Sequence, residues 1–171
     1  TGTTKLIAGT HRPVLHFVDW HTERFALTRN DRFGLLSGLS HDPLLRDIFV
    51  PLSLGASLHV PPATFVEEPA TLLCWLADTR VTTLHLTPAL ADLIASGGDE
   101  ALPDLGQVFF SGESLSHSTV ARIRRLAPGA TVVNFYGATD TPQACILYTS
   151  DAATAYACSS GLSPASTTHN T

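Results

Sequence analysis

Residues 106–137 read "GQVFFSGESLSHSTVARIRRLAPGATVVNFYG", and this stretch decides the fold. "GQVFFSG" is a short apolar run bounded by glycines, the pattern of a buried strand. "SHSTVARIRRLAPG" follows as a capped helix. "TVVNFYG" is rich in β-branched and aromatic residues, a second strand. A strand, a helix and a strand within about 30 residues form a unit whose two strands run parallel.

The same alternation extends toward the start of the chain. "VTTLHLT" has strand character, and "PALADLIAS" is a helix closed by Gly97 and Gly98. Pro69 opens the helix "PATLLCWLADT", in which Leu72, Leu73, Leu76 and Thr79 line one face. "SLHVPP" is a strand stopped by two prolines. "PLLRDIFVPLSLGAS" is a helix with Pro43 near its start and Gly55 just past its end, and Pro51 is expected to kink it or end it early. "RFGLLSGLS" reads as a short buried strand ending in Gly38. From Val14, apolar residues recur at Phe17, Val18 and Phe25, a helical spacing with Thr10 as its cap.

Strand thus alternates with helix from Arg32 to Gly137, which predicts an α/β fold with a parallel or mostly parallel sheet covered by helices. Ligands of such sheets bind outside the carboxyl ends of the strands. Those ends are "SGLSHD", "LHLTP", "FFSGES" and "NFYGATD", where the notable polar residues gather, so they point to one site.

Composition narrows the class. A chain of 171 residues can build one domain with a real core. The net charge of −5 gives nucleic acid no electrostatic reason to bind. Arg122, Arg124 and Arg125 read as the solvated face of a helix. No run approaches the roughly 18 apolar residues of a membrane span, so no membrane partner is expected. The opening residues lack the zones of a signal peptide, and the sequence has no Met, which suggests a piece of a longer polypeptide. Cys74, Cys145 and Cys158 have no metal-ligand spacing and leave one over from any disulfide, as expected of a cytoplasmic protein.

Several chemistries drop out. A serine-hydrolase elbow needs a glycine where "SGESLS" has Ser116. His16 and His21 are five apart, a poor spacing for one metal, and most of the eight histidines read as surface or capping residues. "TGTTK" matches only the trailing half of a phosphate loop.

"NFYGATD" is richer. Tyr136 offers a flat face for a base, and Asn134 an amide for its polar edge. Gly137 lets backbone approach a ligand closely. Thr139 and Asp140 add a hydroxyl and a hard carboxylate, ligand types suited to Mg²⁺ beside phosphates. Taken alone, the heptapeptide equally describes a turn with an Asx-type hydrogen bond. His41-Asp42 follows a buried strand, and by itself Asp42 reads as the cap of the helix beyond it.

Together these stretches resemble the adenylate-forming enzymes, most closely the amino-acid adenylation domains of nonribosomal peptide synthetases. "TGTTKLIAGTHRP" looks like the end of the family's phosphate loop, with Lys5 kept, Thr4 for the usual proline and Leu6 for glycine. "NFYGATD" is similar to N-x-Y-G-P-T-E, with Ala138 for proline and Asp140 for glutamate. "LLRDIFVPLSLGASLHV" and "VFFSGESL" resemble the units around the substrate motif and over the nucleotide. The resemblance spans residues 1 to about 144, and implies part of the large N-terminal core of such an enzyme.

It implies a two-step ligase. A carboxylate attacks the α-phosphate of ATP, leaving an acyl-adenylate and pyrophosphate, and a carrier thiol bearing phosphopantetheine then takes the acyl group. By carry-over, Tyr136 stacks on adenine, Asn134 bonds its edge, and Gly112, Glu113, Gly137 and Lys5 complete the nucleotide site. Thr139 and Asp140 become the catalytic pair, Asp140 helping to hold Mg²⁺. Asp42 pairs with the substrate's α-ammonium. His41, Pro43, Arg46, His85, Phe109, Ser111, Phe135, Gln143 and Ala144 line the remaining pocket. Arg46, His85, Ser111 and Gln143 suggest a polar, acidic substrate side chain. His41 is also reminiscent of acyl- and aryl-CoA ligases, the alternative reading; a non-catalytic nucleotide-binding remnant is a third. The hinge, ribose-binding aspartate and late lysine of the family find no match here, so the polypeptide alone is expected to be inactive.

From Cys145 the character changes. Of the last 27 residues, 15 are Ala, Ser or Thr and none is Lys, Arg or Glu, which predicts an unstructured tail over 145–171. "CILYTSDAA" is close to what a transposase adapter used in sequencing libraries encodes in one frame, so a non-native tail is a sharper expectation.

Overall fold

A computed structural model describes residues 11–38, 43–136, 144–148 and 153–157. In chain order its elements are α1 (Arg12–Arg24), β1 (Arg32–Gly34), α2 (Pro43–Leu54), β2 (Ser57–His59), a 3₁₀ turn (Ala63–Phe65), α3 (Pro69–Asp78), β3 (Thr83–Leu86), α4 (Pro88–Ser96), β4 (Gln107–Phe110), α5 (His117–Leu126), β5 (Thr131–Tyr136), β6 (Ala144–Tyr148) and β7 (Ala153–Ala157). The strands form one sheet in the order β2-β1-β3-β4-β5-β6-β7. The first five are parallel and the last two antiparallel.

The expected alternation is therefore present through β5. The helix ends follow their local chemistry. Thr87 and Ser116 cap α4 and α5, each hydroxyl accepting from the backbone N–H three residues on. Gly55, at φ +66, supplies the left-handed residue that stops α2. Gly97 ends α4 for a different reason: a Cβ there would lie 2.3 Å from the Pro69 carbonyl oxygen, so only glycine lets α4 approach α3 this closely.

Three expectations are corrected. Of the two outcomes expected at Pro51, an early end does not occur: α2 runs on through Leu54, because the closing contacts lie beyond the proline, with Gly55 left-handed and Ala56 N–H donating to the Pro51 carbonyl at 2.9 Å. The strand at "RFGLLSGLS" closes at Gly34, leaving Leu35 to Gly38 irregular. The cap of α1 is His11, without a side-chain bond, and Thr10 lies outside the described residues. Within 145–171, for which the sequence predicts an unstructured tail, the described residues carry β6, paired with β5, and β7, paired with β6; 149–152 and 158–171 lie outside the described residues.

Period-two alternation along the strands divides the core between the two faces of the sheet. Leu84, Leu86, Val108, Phe110 and Val132 pack with Leu72, Leu76, Ile94 and Ile123 of α3, α4 and α5. Phe33, Phe109, Val133 and Phe135 pack on the other face with Val18 of α1 and Val50 of α2. Two of the three arginines of α5 lie on a wet face, Arg122 pairing with Asp92 at 3.0 Å and Arg125 with Asp99 at 3.3 Å at exposed sites, while Arg124 is half-buried. No helix among the described residues is long and apolar enough to cross a membrane.

Candidate functional site

The strand order reverses between β1 and β3. From β1 the chain steps outward to β2, then returns past β1 to β3 and continues to β4 and β5. At such a switch point the connections leave in opposite directions and open a crevice at the carboxyl ends. A cleft of about 200 Å³ lies there. Leu36, Ser37 and Gly38 border it after β1, and Leu86 and Thr87 where β3 ends. Arg46 of α2, His85 of β3 and Ser111 just past β4 complete the polar lining.

Three residues expected to contact substrate, Arg46, His85 and Ser111, are thus brought together at one cleft. Phe109 and Phe135 do not line it. They are fully or almost fully buried beneath it, their rings stacked with centroids 5.6 Å apart. The Arg46 guanidinium stands 5.6 Å from the centre of the Phe135 ring, a cation–π arrangement, and Phe109 stacks on His85 at 5.0 Å. The aromatic pair is therefore a floor rather than a wall.

Below the lining lies a group that sequence reasoning missed. Asp47 is 2% exposed, and one of its oxygens, Oδ1, faces both Arg46 Nε at 3.3 Å and His85 Nδ1 at 2.8 Å. Its other oxygen, Oδ2, accepts from the Ser37 hydroxyl. Across the ring, His85 Nε2 is 3.4 Å from Nε2 of His21, which α1 buries completely among Phe17, Phe25 and Phe109. The expectation of a surface or capping role for most histidines fails for His21 and His85.

The charges here follow from the burial. Burial alone would raise the Asp47 carboxyl, but the charge and hydrogen bond of His85, with Arg46 and Ser37, bring it down to about 2. Burial lowers His85 to about 4; Arg46 adds to this, against the opposing pull of Asp47. His21 is held well below the usual histidine range by burial first, then by His85 and Arg46. At neutral pH the cluster is one carboxylate, one guanidinium and two neutral imidazoles. An ionised Asp47 requires the His85 proton on Nδ1, leaving Nε2 to accept from His21 Nε2–H. His21 Nδ1 is then a lone pair, and it has no partner among the described residues.

A pH dependence follows. Because His85 has a lower pKa in the fold than its usual 6.5, the unfolded chain takes up the proton first as pH falls. Stability is full above pH 6.5 and declines until about pH 4, by on the order of 3 kcal/mol for His85. His21 adds in the same direction. Asp47 adds its own loss below its usual 3.8, as pH falls toward about 2. Denaturant midpoints of the folded domain should therefore drop steeply between pH 6.5 and pH 4, and a flat profile there would contradict the buried neutral histidines.

Toward β5, the Oδ1 atom of half-buried Asn134 is buried with no hydrogen-bond partner among the described residues. An orphaned acceptor at this strand end fits the exocyclic amine of adenine. Gly112 leaves β4 at φ +94, a conformation that keeps side chains away from the turn, and Glu113 beside it is exposed. Tyr136 is the last residue of β5 and is paired with Ala144 of β6. Pro43 is the first residue of α2. Lys5, His41, Asp42, Gly137, Thr139, Asp140 and Gln143 lie outside the described residues. Among the described residues, no group of three His, Cys, Asp or Glu could hold a metal ion.

The site thus combines a polar cleft at the switch point of a parallel sheet with an unpartnered buried acceptor, Asn134 Oδ1, on β5. The chain matches the AMP-binding enzyme family over residues 1–167 and belongs to it. It is 44% identical over 140 residues to an L-2-aminoadipate reductase of Schizosaccharomyces pombe, covering 82% of this chain and 10% of that protein. It is 29% identical over 142 residues to tyrocidine synthase 3 of Brevibacillus parabrevis, covering 82% of this chain and 2% of the synthase. Among solved structures it superposes on the nonribosomal peptide synthetase FmoA3 bound to alpha-methyl-L-serine-AMP, with a TM-score of 0.79 and 33% identity over 89% of this chain and 17% of that one. The same synthetase is known with AMPPNP bound. The chain spans about a tenth of the length of the reductases it matches. It is part of a domain of the AMP-binding enzyme family.

Proposed function

We propose that this segment forms the acid-binding half of an adenylation domain that activates an amino acid with an anionic side chain, 2-aminoadipate being the compound the reductase relatives suggest. Arg46 carries this reading: a buried guanidinium at the edge of the cleft, steadied by an aromatic floor, is the group that recognises a carboxylate. In the reaction, a substrate carboxylate oxygen bonds to the α-phosphorus of ATP, and the bond to the departing pyrophosphate breaks. A thiol of a carrier domain's phosphopantetheine then attacks the acyl carbon and releases AMP. Asp42 would receive the α-ammonium, Asn134 and Tyr136 the base, and Lys5 and Thr139 the phosphates. Mg²⁺, held through Asp140, would neutralise phosphate charge. What the described residues supply is orientation: Ser37, Arg46 and Ser111 border the cleft, and the buried floor keeps water from beneath it.

The reading is tested by ATP–pyrophosphate exchange in the full-length protein across a panel of amino acids. Exchange should be strongest with acidic side chains. Strongest exchange with large apolar ones would sink it. A cytoplasmic location is part of the same proposal.

A further inference from the structure

The group beneath the cleft has a use beyond packing. We infer that Asp47 is a positioning residue for substrate selection, its single oxygen Oδ1 fixing Arg46 Nε and His85 Nδ1 together so that the guanidinium is presented to the acid's side chain at one angle. The inference rests on the proposed preference for an anionic substrate and names what enforces it.

The geometry is specific. Arg46 and Asp47 are consecutive on α2, so their side chains leave the helix about 100° apart, and i,i+1 neighbours do not ordinarily face each other. Here they meet at 3.3 Å through Nε, the guanidinium atom nearest the chain. Holding an arginine by Nε fixes the plane of the whole group. The Phe135 ring below fixes that plane from another direction. His85 reaches the same oxygen from β3, across the sheet–helix boundary, and Ser37 holds the other oxygen from the loop after β1. Asp47 itself is not part of the cleft lining. Both nitrogens of His85 are engaged inside the protein, on Asp47 and on His21, so His85 acts on substrate through Asp47.

Two effects of Asp47 on an anionic substrate oppose each other. Its charge repels the substrate's carboxylate, while its oxygen orients the group that binds that carboxylate. If it did nothing but offset Arg46, removing its charge would improve binding of the acid. If it positions Arg46, removing its oxygen weakens binding of the acid and leaves uncharged substrates nearly alone.

Substitutions in the full-length protein separate these, read by ATP–pyrophosphate exchange with 2-aminoadipate and with its 6-carboxamide. Asp47→Ala should lower the preference for the acid over the amide at least tenfold, mainly through KM. Asp47→Asn keeps an acceptor at Oδ1, with its amide nitrogen opposite the Ser37 hydroxyl, which can accept as well as donate. It should lower the preference two- to fivefold, recovering part of the loss. Should the alanine variant not fold, the direction of the asparagine variant decides alone. A preference that is unchanged or rises in Asp47→Asn overturns the inference, as does an equal loss for both substrates in either variant. A wild-type protein that accepts the amide as well as the acid overturns the substrate reading, and this inference with it. A wild-type preference for the acid with an indifferent Asp47→Asn overturns the inference alone.

Discussion

Replacing Arg46 by methionine in the full-length protein is expected to lower kcat/KM for 2-aminoadipate about a hundredfold, with less than about a fivefold change for an apolar amino acid of similar length. A hydrogen bond to a charged group contributes about 1.5 to 3 kcal/mol, and a hundredfold loss corresponds to about 2.7 kcal/mol. Methionine keeps much of the length and apolar body, so packing over the Phe135 ring is largely retained. What disappears is the guanidinium, and with it one partner of buried Asp47. The carboxylate is then left with His85 and Ser37, a costly arrangement unless the imidazole takes up a proton. Arg46 is one of the causes that hold His85 down, so its removal shifts His85 upward and makes that protonation easier. The variant should therefore lose its acid preference and show a weaker acid-side fall in stability than the wild type. An acid preference that survives the substitution would remove Arg46 from substrate recognition.

The largest stability effect is expected from Phe109→Ala, a loss of about 3 to 5 kcal/mol, read from denaturant midpoints of the folded domain. Phe109 has no exposure and lies in the centre of the sheet face that carries α1 and α2. It meets Phe25 at 4.7 Å, His21 at 4.5 Å and Phe135 at 5.6 Å between ring centres. Truncation leaves a void between β4 and α1 that rigid neighbours cannot close. The cleft should suffer too, because Phe135 loses the ring stacked against it while carrying the Arg46 guanidinium. A midpoint within 1 kcal/mol of wild type would mean that this aromatic floor is not a close-packed unit.

The parallel sheet was legible in the sequence because each strand carries its own boundaries. "GQVFF" and "TVVNFY" are apolar and begin after glycine or an exposed turn, and the prolines at 69 and 88 sit where helices begin. Pro51 misled because the signal that stops α2 is the left-handed Gly55 and the bond from Ala56 N–H back to the Pro51 carbonyl, not the proline itself. The short 3₁₀ turn at Ala63–Phe65 has no periodicity to reveal it. In the cleft, Arg46, His85 and Ser111 were reachable through motif positions, whereas Asp47 and His21 contact no ligand in that pattern. Signals for both existed. In "LLRDIFV" two opposite charges stand inside an apolar helix run, the pattern of a paired and buried couple. His21 lies four residues from both Phe17 and Phe25, on the stripe that α1 turns to the core. Distances across the sheet, such as His85 to Asp47, have no one-dimensional trace.

The shared oxygen of Asp47 also bears on how such a pocket can change hands. Residues 46, 47 and 85 share one charge balance, so none can be exchanged for a new substrate without disturbing the other two. A neutral residue at 46 takes one partner from a buried carboxylate, and a neutral residue at 47 takes the shared oxygen from both Arg46 and His85. On the proposed reading, selectivity at this cleft is inherited as a block: lineages that abandon an anionic substrate should replace all three positions together, and a designer retargeting the domain should do the same.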